Sequence, residues 1–247
     1  MIVKNKNIKI YDSTLRDGAQ TKGVNFSLDD KFRVLDILTN IGVDYIEGGW
    51  PGANPTDDKF FKSIPKISKS RVVAFGMMRK KGTSANNDPG LNAVLNSGVS
   101  TSCLVGKSWD FHVKSALKVS NSENLQMIYD SINYASQRLN EVMFDAEHFF
   151  DGFKANSQYA LEVIKTALDA GANWIVLCDT NGGTLPFELI DIFNEVKKVI
   201  PTENLGVHFH NDADCATYNS IESVRLGVKQ VQGAFMAYVK DVVIQIL

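Results

Sequence analysis

Eight short apolar runs alternate with stretches of helical periodicity along this 247-residue chain, and that alternation points to a parallel α/β fold. The runs are Ile8–Tyr11, Tyr45–Gly49, Val72–Gly76, Thr101–Val105, Val142–Asp145, Trp174–Cys178, Leu205–Phe209 and Gln230–Phe235. Each is too short for a helix and is bounded by turn residues, as buried strands are. Between them, Ser27 and Asp30 form a capping-box pattern ahead of Leu28, Phe32, Leu35, Leu38 and Ile41, and Gly42 closes that helix. Ser122 is the expected N-cap of a helix reaching Leu139. Ala160, Ile164, Ala167 and Leu168 mark one later helical face, and Phe187, Ile190, Phe193 and Val196 mark another. An open doubly wound sheet would often carry a Gly-x-Gly-x-x-Gly turn after its first strand, and none is present. Eight strands without that turn lead us to expect one closed (β/α)₈ barrel over residues 1–247, with no linker and no second domain.

Charge and cysteine usage narrow the function. The net charge is −2 and no long basic run occurs, which argues against nucleic acid as a partner. No apolar run approaches a membrane span, and no signal peptide is visible ahead of the first strand, so none is expected. Cys103, Cys178 and Cys215 are odd in number and lack metal-type spacing, so packing in a reduced cytoplasmic setting is the expectation.

Chemistry gathers just past the strand ends, the face on which barrel enzymes build their sites. Asp12 to Gly18 follow strand one, Glu47 lies on strand two, Asp145 to His148 end strand five, Asp179 to Asn181 end strand six, and His208 to Asp212 end strand seven. His208 and His210 are two apart and so point the same way from a strand. With the Asp17 carboxylate they suit Mn, Zn, Co or Fe, and with water also Mg. The alternative for the histidines is satisfied core residues. Arg16 is placed to neutralise an anionic oxygen, the alternative being an ion pair across the barrel top. Glu147 is an acid/base candidate, or else a partner of His148 or of a metal-bound water. Thr180 offers a hydroxyl to a carboxylate, or caps a helix or turn. Asp145 and Asp179 are expected to hold loops through backbone hydrogen bonds.

Together these motifs resemble the metal-dependent Claisen-condensing synthases, a group of TIM barrels that includes 2-isopropylmalate, homocitrate and citramalate synthases and is related to hydroxymethylglutaryl-CoA lyase. The resemblance rests on Asp12-Ser13-Thr14-Leu15-Arg16-Asp17-Gly18-Ala19-Gln20 and on His208-Phe209-His210-Asn211-Asp212. Three further segments, Ile46–Pro55, Phe144–Gly152 and Cys178–Pro186, are most similar to citramalate synthases, and Gly106–His112 fits too. The resemblance implies condensation of acetyl-CoA with pyruvate and thioester hydrolysis, giving citramalate and CoA for isoleucine synthesis. A 2-isopropylmalate or homocitrate synthase is the alternative. It implies Asp17, His208 and His210 as metal ligands, Arg16 at the keto oxygen, Thr180 at the substrate carboxylate and Glu147 in removal of the methyl proton. It also implies a homodimer for full-length members.

Two departures from the family pattern stand out. Such synthases continue into a C-terminal regulatory domain, whereas an eighth helix would be missing or incomplete here. The family motif after strand eight, approximately N-G-x-x-E-R-C-G-N-x-N-L, is replaced by an atypical tail at 236–247, with Ile244 where a further metal ligand is expected. Restoring one base in codon 236 lets the neighbouring frame spell that motif in order. A frameshifted tail is therefore expected, and a catalytically impaired fragment of such an enzyme is the second alternative for the function. The alternative is a divergent tail, since Val239, Val242, Val243 and Ile246 are roughly helix-spaced.

Overall fold

The computed structural model describes residues 8–235. Eight parallel strands close into a barrel in sequence order, with β1 hydrogen-bonded to β8. They are β1 (Lys9–Asp12), β2 (Tyr45–Gly49), β3 (Arg71–Met77), β4 (Thr101–Lys107), β5 (Glu141–Glu147), β6 (Trp174–Asp179), β7 (Leu205–Phe209) and β8 (Gln230–Gly233). The helices are α1 (Leu28–Ile41), α2 (Pro55–Lys62), α3 (Pro89–Leu95), α4 (Asp110–His112), α5 (Asn121–Ser136), α6 (Phe149–Ala155), α7 (Ser157–Asp169), α8 (Pro186–Val196) and α9 (Ala216–Arg225). The expected barrel is present. The tail and the eighth helix position fall outside the described residues.

The outward strand faces and inward helix faces form the main core, which includes Ile46, Leu104, Phe144, Ile175, Leu177, Val207 and Phe209. A smaller cluster of Tyr11, Tyr45, Val73, Phe75, Cys103 and Met143 fills the barrel itself. Glu141 closes the bottom. Its carboxylate accepts from Tyr45 Oη at 2.8 Å and from Trp174 Nε1 at 2.9 Å, and pairs with Arg71.

Local signals hold at α1. Ser27 Oγ accepts from the Asp30 N–H, Asp30 returns the bond, and Gly42 takes a left-handed conformation. Two expectations are corrected. The α5 cap is Ser120, whose Oγ accepts from the Glu123 N–H at 3.1 Å, so Ser122 lies inside the first turn. In α8 the buried stripe is Leu189, Ile192, Phe193 and Val196, while Phe187 is 74% and Ile190 49% exposed. Both faces of α8 are apolar, so periodicity alone could not choose between them. Ile41 of α1 also faces out.

The β2 end carries a bulge between Glu47 and Gly49. Glu47 points into the barrel by strand alternation with Tyr45, and the bulge lies just after it. Buried Lys31 on α1 fixes this turn by donating to the Gly48 carbonyl at 2.8 Å and pairing with Asp57. Asp57 in turn accepts from the Trp50 N–H at 2.8 Å. At Gly49, with φ of 138°, a Cβ would lie 2.5 Å from the Asp57 carboxylate, so glycine is required.

Asp12 stitches the barrel seam. It accepts from the Thr14 N–H at 2.9 Å, from Thr14 Oγ1 at 3.0 Å and from the Phe235 N–H at 3.1 Å. Burial pushes its carboxyl up to about 6 despite those bonds. The folded chain then holds a proton that the unfolded chain releases near 3.8, so stability falls as pH rises through this window. The gap corresponds to roughly 3 kcal/mol at most. Denaturant melts of the wild type and of Asp12→Asn between pH 4 and 7 should diverge by that slope. Parallel curves would show that Asp12 does not titrate in this range.

Candidate active site at the barrel mouth

The loop after β1 is held down by backbone bonds. Ser13 N–H donates to Gly233 O at 2.7 Å, and Asp17 N–H to Ser13 O at 2.8 Å. This places Arg16 and Asp17 over the barrel axis. The Arg16 Nε donates to Glu47 Oε2 at 2.6 Å, its Nη1 donates to Asp17 Oδ1 at 3.0 Å, and its guanidinium lies 4.0 Å above the Phe75 ring. Glu47 also accepts from Tyr11 Oη at 2.7 Å. The ion pair anticipated for Arg16 is therefore real, and it holds the guanidinium in one orientation. Burial raises the Glu47 carboxyl, against the pull of Arg16.

Asp17, His208 and His210 converge. Their ligand atoms all lie within 4.8 Å of one another. His208 Nε2 is 3.2 Å from Asp17 Oδ2 and 3.3 Å from His210 Nε2. Two ligand atoms at about 2.1 Å from one ion would be roughly 3.0–3.5 Å apart, which matches. Asp17 Oδ2 is buried, and among the described residues nothing satisfies it beyond the 3.2 Å contact with His208 Nε2. An electron-rich, desolvated oxygen facing two imidazoles needs a cation or a proton, so the residues fit a divalent metal.

The charges of the three respond to one another. Burial pushes Asp17 up, but Arg16 and then His208 hold it well below the usual carboxylate range. Burial depresses His208, yet Asp17 raises it above an ordinary histidine. Burial, then the charge of His208, push His210 down to about 4. His210 is therefore neutral near pH 7 and free to donate a lone pair.

Thr180 lies in the turn after β6, beside His210. The β6 and β7 turns are pinned together by bonds from His210 N–H to Asp179 O at 3.3 Å and from Ala213 N–H to Gly182 O at 3.0 Å. Gly182, with φ of 60°, is needed there because a Cβ would lie 2.2 Å from Asp212 Oδ2. Asp179 Oδ2 accepts from the Thr184 N–H at 3.0 Å, the loop-holding role expected of it. Thr180 caps no helix. Its Oγ1 accepts the His148 N–H at 2.9 Å, holding His148 in a left-handed conformation with φ of 56°.

Glu147 stands at the end of β5, apart from the three-residue cluster, and pairs with Lys107 rather than His148. Both line a cavity of about 680 Å³ over the ends of β2 to β5, with Trp50, Met78 and Val105 on its walls and Lys80 and Lys81 at its rim. Sequence reasoning missed Lys107 and Gln232. It also misplaced Asp145, which points into the barrel and accepts from Gln232 Nε2 at 3.3 Å, not from a loop backbone. The signal available for Gln232 was two glutamines, Gln230 and Gln232, at period two in a buried strand.

The HMGL-like family model matches residues 7–237. The chain belongs to the HMGL-like family. Curated HMGL-like relatives include an (R)-citramalate synthase of Geobacter sulfurreducens, 48% identical over 94% of this chain and 44% of that protein. An (R)-citramalate synthase of Sulfolobus acidocaldarius is also 48% identical, over 92% and 44%. A 2-isopropylmalate synthase of Sulfolobus acidocaldarius is 34% identical over 93% and 57%. The chain thus spans less than half the length of the citramalate synthases it matches. Among solved HMGL-like folds, the Bacillus subtilis HMG-CoA lyase superposes with a TM-score of 0.77 at 19% identity, over 93% of this chain and 77% of that one. No helix among the described residues is long and apolar enough to cross a membrane.

Titrating the chain with Mn or Zn should show one site per chain. His208→Ala should weaken binding by more than the roughly 10–100-fold typical of losing a residue that merely supports a ligand. Equal affinity in the variant, measured by calorimetry, would exclude His208 as a ligand.

Proposed function

We propose that this chain carries the catalytic barrel of a citramalate synthase, condensing acetyl-CoA with pyruvate and hydrolysing the thioester to citramalate and CoA. The observation that carries the reading is the convergence of Asp17, His208 and His210 beside a clamped Arg16, in a chain 48% identical to curated (R)-citramalate synthases. The lower identity to a 2-isopropylmalate synthase supports pyruvate over a bulkier 2-oxo acid.

A divalent metal, Mn, Mg, Zn or Co, held by Asp17, His208 and His210 would supply Lewis acidity toward the ketone of the 2-oxo acid. Arg16 neutralises charge growing on the keto oxygen. Because Glu47, Asp17 and Phe75 already fix its guanidinium, little reorganisation is needed at the reacting moment. Thr180 keeps its hydroxyl proton for the substrate carboxylate, since its oxygen is the acceptor for His148. Glu147 receives a methyl proton of acetyl-CoA, directly or through water. The freed carbon then bonds to the ketone carbon, and the keto oxygen takes up a proton. Water finally cleaves the thioester, releasing CoA. The cavity beside Glu147 suits the acyl-CoA arm, with Lys80 and Lys81 at the rim for its phosphates.

Thiol release with acetyl-CoA should be fastest with pyruvate and slow with 2-oxoisovalerate or 2-oxoglutarate. Preference for a larger acid would replace citramalate synthase with one of its relatives. Arg16→Lys should cut kcat by about 10²–10³-fold. Lys80→Ala and Lys81→Ala should each raise KM for acetyl-CoA roughly two- to fivefold, leaving KM for pyruvate unchanged. A second reading is a catalytically impaired fragment. It is favoured by Ile244, which stands where the family motif has a ligand asparagine. Absence of thiol release with any 2-oxo acid supports it, and the coding sequence from codon 236 onward decides whether the frame is shifted.

A further inference from the structure

We infer that Gln232 is a positioning residue for the metal centre, selecting the tautomer in which His208 offers Nε2 to the cation. The inference rests on the metal-site reading above.

Gln232 and His208 are register partners on β8 and β7. The Gln232 Oε1 lies 2.9 Å from His208 Nδ1, with both side chains buried. An amide can be turned either way, so its neighbours decide which end faces the imidazole. The other end of Gln232 meets two oxygens, Asp145 Oδ1 and Gln230 Oε1, each at 3.3 Å. Those atoms demand the NH₂ end. Asp145 provides an accepting oxygen whether its carboxyl is ionised or neutral. Gln230 is itself oriented, because its NH₂ points at the Met143 thioether at 3.6 Å.

The amide oxygen is therefore left facing His208, and it can only accept. Nδ1 must carry a proton, and in the neutral imidazole the lone pair is left on Nε2. Nε2 is the atom that faces Asp17 Oδ2 and His210 Nε2. Reversing the amide would place a donor at Nδ1, drive the proton to Nε2 and block the ligand position. Asp145, on β5, thus acts across the barrel on a ligand carried by β7. A residue that donates or accepts at the far nitrogen of a ligand histidine typically changes metal affinity 10–100-fold.

The test reads the tautomer without metal. Long-range ¹⁵N–¹H spectra of the metal-free chain, recorded at a pH where His208 is neutral, should show its single proton on Nδ1. Gln232→Met keeps the volume and removes the acceptor, so the Nδ1–H form should lose its dominance. Mn or Co affinity, followed for Co by its absorption spectrum, should then drop about 10–100-fold. Gln232→Glu keeps an oxygen at Nδ1 and should retain the Nδ1–H form. An unchanged tautomer in Gln232→Met, or an Nε2–H form in Gln232→Glu, would overturn the assignment. If the wild type shows the Nδ1–H form but binds no metal, the metal-site reading fails while the tautomer control by Gln232 stands.

Discussion

The Arg16 side chain is only 13% exposed at the barrel mouth, and its partial burial orders what surrounds it. A buried cation is tolerated only if its donors are met, since stripping an ion of water costs several kcal/mol even after relaxation. Glu47 meets one donor and Asp17 another, while Phe75 offers its ring face. Glu47 is affordable there because Tyr11 and Arg16 satisfy it from two sides. The consequence falls on Asp17. With Oδ1 committed to Arg16, its remaining oxygen faces His208 and His210. The metal-type cluster follows from how a buried arginine is neutralised.

Much of this was legible in the sequence. Period-two placement of His208 and His210, together with the post-strand position of Asp17, brought the three to one face before any coordinates. The eight strands matched their runs because buried parallel strands read as short apolar segments with turn residues between them. Two kinds of feature were not legible. One is the choice between two apolar stripes on one helix, as in α8, where burial depends on which face the barrel presents. The other is a polar group that acts across the barrel. Asp145 lies at a strand end, where carboxylates often bind loop backbones, and only closure of the sheet brings it to Gln232, 87 positions away.

The shared barrel carries less information than the site. A (β/α)₈ barrel hosts many chemistries, so the scaffold alone does not select a substrate. Selection has to reside in the side chains at the mouth and in their spacing.

That spacing is set by aromatic packing. The metal-type cluster belongs to the β1 and β7 side of the mouth, whereas the cavity with Glu147 lies over β2 to β5. Trp50, on the cavity wall, meets Phe75 edge-on with centroids 5.5 Å apart, and Arg16 lies on Phe75 at 4.0 Å. Arg16 is in turn bonded to Asp17. A continuous stack therefore joins the wall of one half-site to a ligand of the other. Rings packed in this way resist compression and leave little room for water between the halves. A two-substrate condensation needs the electrophile and the acidic carbon held at a fixed separation, in a place where stray water cannot take the proton or the charge. For the condensation proposed above, the Trp50–Phe75–Arg16 stack would hold the two half-sites at such a separation, from residues that need not touch either reacting carbon.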